Sequence, residues 1–475
     1  MRGYHYLWSA IQRFGTQIIS FIGNVLIARL LTPDDYGLVA MLAIFMSIAM
    51  NFTESGFADY LIRDPKSTSK EFSVVFVHNI VFGVLFYTIL YIAAPWIAQF
   101  YEESELVVIT RVLGLNIIVK ALSLSEFTRM RKALEFKNMA IIQIVSALVG
   151  LIVGYLMALY NYGYWALVGQ VLTMGVATLI MLTVVNAWWP KWYFDWKTYK
   201  VMRKFGNNML VSYFTNQIGA NLYAVFIGKF HSASALGFYN QAEKINKISF
   251  QSINGIVLTT SYSLLAKEQN RVKRLKMYKN LLNYFLFVHF AISAFIIGAA
   301  KSIMGFVFGT QWLPTAPLLQ LVLISFLLQP LVTINSNIVK IENKPHIYRN
   351  LTFLRNGLLL LMLLITYTFS IEIILIGQII ARTIAAVVSV FVCGKYIKFY
   401  PYEQFKILAV QLLAPGIALM VMCLVLYKFG HHNFLMSLMI SIGFYIIVYI
   451  VVNVMVKNRT FYEVFSKLKL MLNRK

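Results

Sequence analysis

Long apolar runs recur along the whole chain and restrict what it can fold into. Clear examples are Val74–Phe100, Ile142–Tyr160, Tyr164–Ala187 and Phe434–Val456. Each can cross the hydrocarbon core of a bilayer, which takes about 20 helical residues. The composition agrees, because 59% of the residues are hydrophobic and only 13% are charged. The sequence therefore predicts an all-α integral membrane protein. Since no signal-peptide pattern precedes the first run, we expect that helix to remain as an anchor.

The apolar segments predict about fourteen transmembrane helices. The predicted crossings are 10–31, 37–58, 74–100, 107–125, 139–160, 164–187, 206–229, 236–265, 280–300, 316–339, 350–367, 372–394, 405–427 and 433–456. Lys and Arg are concentrated in every second connecting segment, while the segments between them carry few, and Tyr101–Glu105 carries only acids. Because basic loops stay in the cytoplasm, this alternation predicts that both termini are cytoplasmic.

The predicted crossings organise the chain into five parts. They are an N-lobe at 1–187, a cytoplasmic interfacial linker at 188–205, a C-lobe at 206–396, two further helices at 397–456 and a basic cytoplasmic tail at 457–475. Each lobe has six crossings. The linker and the tail mix aromatic or aliphatic residues with Lys and Arg, a pattern typical of segments that lie on a membrane surface.

The two lobes share a weak internal repeat at an offset of 200 residues. Six identities fall between 14–37 and 214–237, among them Gln17 with Gln217 and Gly37 with Gly237. An even number of crossings separates the copies, so both have the same orientation in the membrane. The repeat predicts two lobes related by a pseudo-two-fold axis along the membrane normal, with a substrate site between them.

Polar residues form stripes on the first and second helices of each predicted lobe. Spacings of three and four residues place the members of a stripe on one helix face. Because a charge facing lipid costs at least about 2.5–3.5 kcal/mol, such faces are expected to line a watery cleft. The candidate substrate-binding residues of this cationic cavity are Arg13, Gln17, Asn24, Asn51, Gln217, Asn221, Asn240, Lys244, Lys247, Gln251 and Asn254.

The charges inside the predicted crossings are mostly basic, which favours an anionic cargo such as a phosphate or uronic acid. The bases include Arg13, Arg29, Arg111, Lys120, Lys244, Lys247, Arg355 and Arg382, and the clear acids are Glu54 and Glu243. Four of these bases could instead extend their charged groups to the membrane surface. They are Arg29, Lys120, Arg355 and Arg382, which lie close enough to predicted helix ends to snorkel.

The two acids are candidates for binding a coupling ion, and each also has a structural interpretation. Glu54 could instead be a buried partner of Arg13 or Lys247. Glu243 could pair with Lys244 or Lys247. We interpret His78 and His289 as hydrogen-bonded core residues rather than proton relays.

Other classes of function are disfavoured. The net charge of +24 would suggest nucleic-acid binding in a soluble protein, but here it reflects cytoplasmic loops. Cys393 and Cys423 have no metal-ligand spacing, and no Walker motif is present. We therefore expect no cofactor, no metal and no catalytic residues, and ATP-driven transport by this chain alone is not expected.

Four segments resemble the polysaccharide-transporter (Wzx-type) flippases of the multidrug/oligosaccharidyl-lipid/polysaccharide exporter superfamily. They are Ile27–Gly37, Glu54–Arg63, Ile227–Ala242 and Phe308–Pro314, and the resemblance extends over nearly the whole chain. It implies two six-helix lobes in a V around a central cationic cavity, with helices 13 and 14 appended. One departure is that many relatives have a proline after helix eight, where this chain reads Thr259–Leu265, so that helix is expected to continue unbroken.

The resemblance also implies a function and a place in the cell. The cargo would be an undecaprenyl-diphosphate-linked oligosaccharide, moved to the outer leaflet of the bacterial inner membrane by ion-coupled alternating access. Partners would be membrane lipids and the polymerase and glycosyltransferases of surface polysaccharide synthesis. Alternatives are a peptidoglycan-precursor flippase, a multidrug exporter of the same superfamily, or a membrane polysaccharide polymerase or ligase. The sequence does not indicate the sugar, the coupling ion or the oligomeric state.

Overall fold

The computed structural model describes residues 2–65, 67–185, 191–397, 399–429 and 433–472. In this part of the chain the regular structure is helical and no strand occurs. The α-helices are α1 (Arg2–Ala28), α2 (Pro33–Met41), α3 (Ala43–Glu54), α4 (Phe57–Arg63), α5 (Ser69–Tyr101), α6 (Leu106–Lys132), α7 (Phe136–Leu159), α8 (Trp165–Val185), α9 (Trp196–Phe230), α10 (Ala233–Lys267), α11 (Arg271–Ile303), α12 (Thr315–Phe326), α13 (Gln329–Ile341), α14 (Pro345–Thr366), α15 (Ile371–Ile397), α16 (Pro401–Phe429), α17 (Phe434–Met455) and α18 (Arg459–Leu472).

Membrane-spanning character is widespread among these helices. Eleven helical segments of the described residues are long and apolar enough to cross a bilayer. Helices α1, α9 and α10 are not among them, although they have 27, 35 and 35 residues. These three carry the polar stripes, which lower their mean hydropathy. The chain is thus an all-α, multi-pass membrane protein, and the count of fourteen crossings and the pseudo-two-fold repeat stay predictions.

The chain divides into two compact units, Met1–Gly237 and Phe238–Lys475. The first contains α1 to α9 and the start of α10. The second contains the remainder of α10 and α11 to α18. The predicted lobe boundaries at 187, 206 and 396 are not tested by this division and stay predictions.

The first unit is held together by closely approaching helices. Helix α7 packs against α1 and α8, and α5 packs against α6. At the α7–α8 contact, a Cβ atom on Gly150 would lie 2.8 Å from the carbonyl oxygen of Gln170. Glycine is therefore needed there for the backbones to come this close, as is common between membrane helices.

The second predicted crossing, 37–58, is not one helix but three. Helix α2 begins at a capping box in which the Thr32 hydroxyl and the Asp35 carboxylate each accept from the other residue's backbone N–H. Helix α3 ends at Ser55 and Gly56, whose φ angles of 50° and 67° are left-handed. A left-handed pair cannot continue an α-helix. The chain therefore turns after Glu54 and restarts as α4.

Two further predictions concern helix continuity. Helix α10 runs unbroken from Ala233 to Lys267, as expected from the absence of a proline after helix eight. The predicted crossing 316–339 is instead divided into α12 and α13. Pro330 lies in the first turn of α13, where its missing N–H costs no intrahelical hydrogen bond.

The second unit has a buried polar network within an aromatic core. The hydroxyl of Tyr278 donates to Asn335 Oδ1 at 2.5 Å, and Asn335 Nδ2 donates to Gln404 Oε1 at 3.3 Å. Tyr278 and Phe290 are fully buried in the surrounding cluster. Because buried polar groups need partners, this network links α11, α13 and α16 in one arrangement.

Candidate functional site

Helix α1 has three separate faces, and the first packs against α7. A Cβ atom on Gly15 would lie 2.9 Å from Ile144 Cδ1. Beside this contact, Gln12 Nε2 donates to Gln143 Oε1 at 3.1 Å. This face therefore fixes α1 in the bundle by close packing and one hydrogen bond between side chains.

The second face of α1 is apolar and exposed. Its residues are Leu7, Ile11, Phe14, Ile18 and Ile22. In a membrane protein such a face contacts acyl chains, because no aqueous surface favours a row of large aliphatic side chains.

The third face carries the predicted polar stripe. Arg13 and Ser20 are exposed, and Gln17 and Asn24 are half-buried. At 100° per residue this stripe lies on a different side of the helix from the apolar face. Since a charge in hydrocarbon is costly, we infer that the stripe faces water.

Asn51 and Glu54 lie at the end of α3, next to the left-handed pair Ser55 and Gly56. Both are half-buried. Glu54 forms no ion pair among the described residues of Met1–Gly237, so the pairing with Arg13 offered as an alternative is not present. The charged groups that act on it electrostatically are Asp59 and Arg131. The carboxylate thus stands at a helix break with an acid and a base nearby.

His78 is a core residue, as predicted. Its Nε2 lies 3.0 Å from Ser55 Oγ, and its Nδ1 lies 3.4 Å from the Tyr199 hydroxyl. The ring centroid of Phe57 lies 4.5 Å from that of His78. Both ring nitrogens therefore have partners, and the imidazole anchors the break after α3 to α5 and α9.

Helix α9 packs on the same break. A Cβ atom on Gly206 would lie 2.5 Å from the carbonyl oxygen of Ser55. Further along α9, the predicted residues Gln217 and Asn221 are half-buried. Asn221 Nδ2 donates to the carbonyl oxygen of Gln217 at 3.0 Å, so these two residues form a local polar patch on α9.

The N-terminal ends of α2 and α10 contact each other through equivalent glycines. A Cβ atom on Gly37 would lie 1.8 Å from the carbonyl oxygen of Ala233, and one on Gly237 would lie 2.0 Å from that of Pro33. Any side chain at either position would therefore collide with backbone. The repeat identified these glycines as equivalent, but sequence reasoning missed that each touches the start of the helix that contains the other.

An ion pair lies near these helix ends. Lys229 Nζ donates to Glu102 Oε1 at 2.7 Å. Lys229 is the residue that the 200-residue offset aligns with Arg29. The pair connects the end of α9 to the segment after α5, at the same end of α9 as the glycine contact.

The stripe on α10 contains two lysines, Lys244 and Lys247, and Lys247 is in an ion pair with Glu243. Asn240 and Lys244 are half-buried and Lys247 is exposed. Glu243 accepts from Lys247 Nζ at 2.9 Å and from the Tyr239 hydroxyl at 3.3 Å. The structural pairing of Glu243 with Lys247 is therefore confirmed. The side chains of the other two predicted members, Gln251 and Asn254, lie outside the described residues.

Two bases proposed from sequence are held by aromatic rings. Arg111 Cζ lies 4.4 Å from the ring centroid of Tyr91, and Arg382 Cζ lies 3.8 Å from that of Phe326. Each of these cation–π contacts joins two helices, α5 with α6 for Arg111 and α12 with α15 for Arg382. Sequence reasoning missed them because each partner ring is on another helix.

Solved structures share this fold. The lipid II flippase MurJ in an inward closed conformation matches with a TM-score of 0.71 and 16% identity, over 94% of this chain and 99% of that chain. A multidrug resistance MATE family transporter in an inward-facing conformation matches with a TM-score of 0.63 and 14% identity, over 82% and 98%. The chain therefore shares the fold of these two solved structures.

A family model described as polysaccharide biosynthesis protein matches residues 26–317. The chain belongs to this family. Among curated relatives, the teichuronic acid biosynthesis protein TuaB of Bacillus subtilis is 27% identical over 70% of this chain and 69% of its own length. The lipopolysaccharide biosynthesis protein WzxC of Escherichia coli is 21% identical over 68% and 66%. The alignments span about two thirds of these relatives.

Proposed function

We propose that this protein is a flippase that carries an anionic lipid-linked oligosaccharide across the bacterial inner membrane. The observation that supports this most is the division of α1, where an exposed stripe containing Arg13 runs beside an exposed apolar face. A cargo with a phosphorylated sugar head and a prenyl chain has the same two parts. Its head would contact the polar stripe while its chain stays against lipid.

The charge of the stripes supports an anionic cargo. Arg13 on α1 and Lys244 on α10 are accessible or half-buried bases. On α10 the acid Glu243 is neutralised by Lys247 at 2.9 Å. A basic surface inside the membrane attracts phosphate or uronic acid groups through charge-assisted hydrogen bonds. A multidrug exporter for cationic compounds would be better served by free acids.

Alternating access would require a contact that can open, and the glycine contact of Gly37 and Gly237 is a candidate. It joins the N-terminal ends of α2 and α10 backbone to backbone. We infer that these helix ends part in the outward-open state, together with the pair of Lys229 and Glu102.

Energy would come from a proton or sodium gradient, and Glu54 is the proposed coupling group. It is half-buried in the span Pro33–Arg63 and lies at a helix break. A carboxylate there can change its protonation or bind a cation as the break moves. The basic segments would keep both termini in the cytoplasm.

The relatives support a role in surface polysaccharide synthesis. TuaB is named for teichuronic acid biosynthesis and WzxC for lipopolysaccharide biosynthesis. The natural partners would be the lipid-linked oligosaccharide itself, membrane lipids, and the glycosyltransferases and polymerase that act before and after transport.

The decisive experiment is mass spectrometry of lipid-linked intermediates in cells depleted of this protein. We expect an undecaprenyl-diphosphate oligosaccharide to accumulate on the cytoplasmic side. Wild-type protein should clear it and Arg13→Gln should not, while Lys273→Gln, on the surface of α11, serves as the control and should clear it fully.

Other outcomes would contradict this function. Accumulation of a peptidoglycan precursor instead would identify that substrate, in keeping with the MurJ-like fold. Accumulation of an already translocated, unpolymerised oligosaccharide would indicate a polymerase or ligase.

A further inference from the structure

The second unit contains a small polar cavity that the transport stripes do not include. It lies among α13, α14 and α15 and has a volume of about 120 Å³. Its polar or charged lining residues are Gln329, Thr333, Ser336, Asn337, Lys340, Tyr348, Thr352, Arg355 and Ser389. This lining, drawn from the described residues, contains two bases and no acid.

Arg355 is the first base of the cavity. It is in the segment His346–Thr366, ten residues after α14 begins at Pro345, which is about 15 Å along a helix. Its half-buried guanidinium lines the cavity, and its Nε makes one bond, of 3.4 Å, to Asn356 Oδ1. A guanidinium carries five N–H donors.

Lys340 is the second base of the cavity. Its Nζ lies 4.0 Å from the ring centroid of Tyr348. Neither Lys340 nor Arg355 forms an ion pair within the described part of the chain. Glu342 is only two residues from Lys340, but it pairs with Arg274 at 2.5 Å. Two bases that share a small cavity without an acid repel each other, and this favours the binding of an anion.

The remaining donors and the volume define which anion fits. Thr333 and Ser336 place hydroxyls on the cavity wall, and hydroxyls donate readily to oxyanions. A water molecule takes about 30 Å³ of liquid, so the cavity holds about four waters. That space suits one tetrahedral oxyanion.

We propose that Arg355 and Lys340 form a binding site for a single phosphoryl group. The planar fork of arginine matches two oxygens of such a group, while Lys340 supplies the second charge. The phosphoryl group could be inorganic phosphate or the headgroup of an anionic phospholipid, since α14 is largely exposed along the membrane. The site does not depend on the proposed flippase function.

Isothermal titration of the full-length protein, purified in maltoside detergent, with inorganic phosphate tests the site. We expect one phosphate per chain. Arg355→Gln should weaken binding about tenfold or more, since a charged hydrogen bond contributes about 1.5–3 kcal/mol. Arg355→Lys should lie between the two, because it keeps the charge and loses the fork. Arg349→Gln, on the same helix but outside the cavity lining, is the matched control and should bind as wild type.

A second arm identifies the source of the phosphoryl group. Phosphatidylglycerol added to the micelles should displace phosphate if the lipid headgroup is the natural ligand, and should leave phosphate binding unchanged if free phosphate is. If Arg355→Gln does not fold, as judged by gel filtration, Lys340→Gln replaces it and should also weaken binding. Absence of binding to both probes, or equal losses in Arg355→Gln and Arg349→Gln, would overturn the proposal.

Discussion

Gly37 and Gly237 lie against each other, such that a Cβ atom on Gly237 would be 3.3 Å from the backbone nitrogen of Gly37. The two glycines are separated by 200 residues and occupy the same position in the repeat. The contact is reciprocal, because each glycine also lies against the backbone at the start of the helix that contains the other. A closed contact of this kind tolerates no side chain on either side.

The first prediction follows from this contact. Gly237→Ala should hold the N-terminal ends of α2 and α10 apart, because the new Cβ atom would overlap the carbonyl oxygen of Pro33 at 2.0 Å. We expect faster labelling of Ser20→Cys by an impermeant maleimide from outside the cell, with Cys393 and Cys423 replaced by alanine. Gly357→Ala, where an added Cβ meets nothing within 4 Å, is the control. Equal labelling of both variants would refute a gating role for the contact.

The second prediction concerns the acids after α5. The pKa of Glu103 is raised from 4.5 by partial burial and then by Glu105 and Asp34. A raised carboxyl pKa favours folding at low pH and disfavours it as the pH rises through the raised value. Glu103→Gln should therefore raise the melting temperature at pH 7 by about 1–2 °C, and the difference should vanish below pH 4.

Glu102 lies in the same segment and is the matched control for Glu103. Its pKa is lowered by the hydrogen bond and charge of Lys229, so Glu102→Gln removes a favourable interaction. That variant should not gain stability at pH 7. A gain in Glu102→Gln similar to that in Glu103→Gln would mean that both acids respond only to general charge repulsion.

The third prediction separates the two lysines of α10. Lys244→Gln should reduce transport several-fold in a complementation assay while membrane insertion stays normal. Lys247→Gln should also lower the amount of folded protein, because it leaves Glu243, whose side chain is 11% exposed, without its partner. The double variant Lys247→Gln/Glu243→Gln should recover folding. Failure of that recovery would show that Glu243 and Lys247 are not energetically coupled.

The fourth prediction concerns Glu54. Glu54→Gln should retain cargo binding but lose the dependence of transport on a proton or sodium gradient. Uptake of a labelled lipid-linked oligosaccharide into reconstituted vesicles, with and without each gradient, measures this. Glu372→Gln, at the exposed start of α15, is the control. Transport by Glu54→Gln that still follows the gradient would exclude Glu54 from coupling.

The fifth prediction concerns stability of the second unit. Tyr278→Phe should destabilise it by about 1–3 kcal/mol, because Asn335 Oδ1 loses a buried donor. The lost contact is the 2.5 Å bond between Tyr278 and Asn335. Thermal unfolding of the purified protein measures the loss, and Tyr262→Phe, with Tyr262 44% exposed, should have little effect. Equal melting temperatures would argue that Gln404 takes over the bond.

The parts predicted well from sequence are those that depend on one helix at a time. Helix length and the positions of polar stripes follow from hydrophobic runs and from spacing, as on α1 and α10. The core role of His78 was also predicted. Because burying an imidazole without hydrogen-bond partners is costly, a histidine within an apolar helix was expected to be hydrogen-bonded.

Features that depend on the packing of distant residues were not predicted. The break at Ser55 requires a left-handed serine, and serine has no strong preference for that conformation. The aromatic partners of Arg111 and Arg382 belong to other helices. For Arg355, position along the helix suggested snorkelling, but only tertiary structure places it beside Lys340 in a shared cavity.

The three faces of α1 also separate three kinds of constraint on its evolution. Where Gly15 packs against α7, the size of the side chain is restricted. Where the exposed aliphatic side chains lie, the side chain needs only to be hydrophobic. The side bearing Arg13 and Gln17 is polar and is the one that the proposed function assigns to the cargo. On that proposal, a related chain could change its cargo by substitutions on this side, while the apolar face and the contact with α7 were kept.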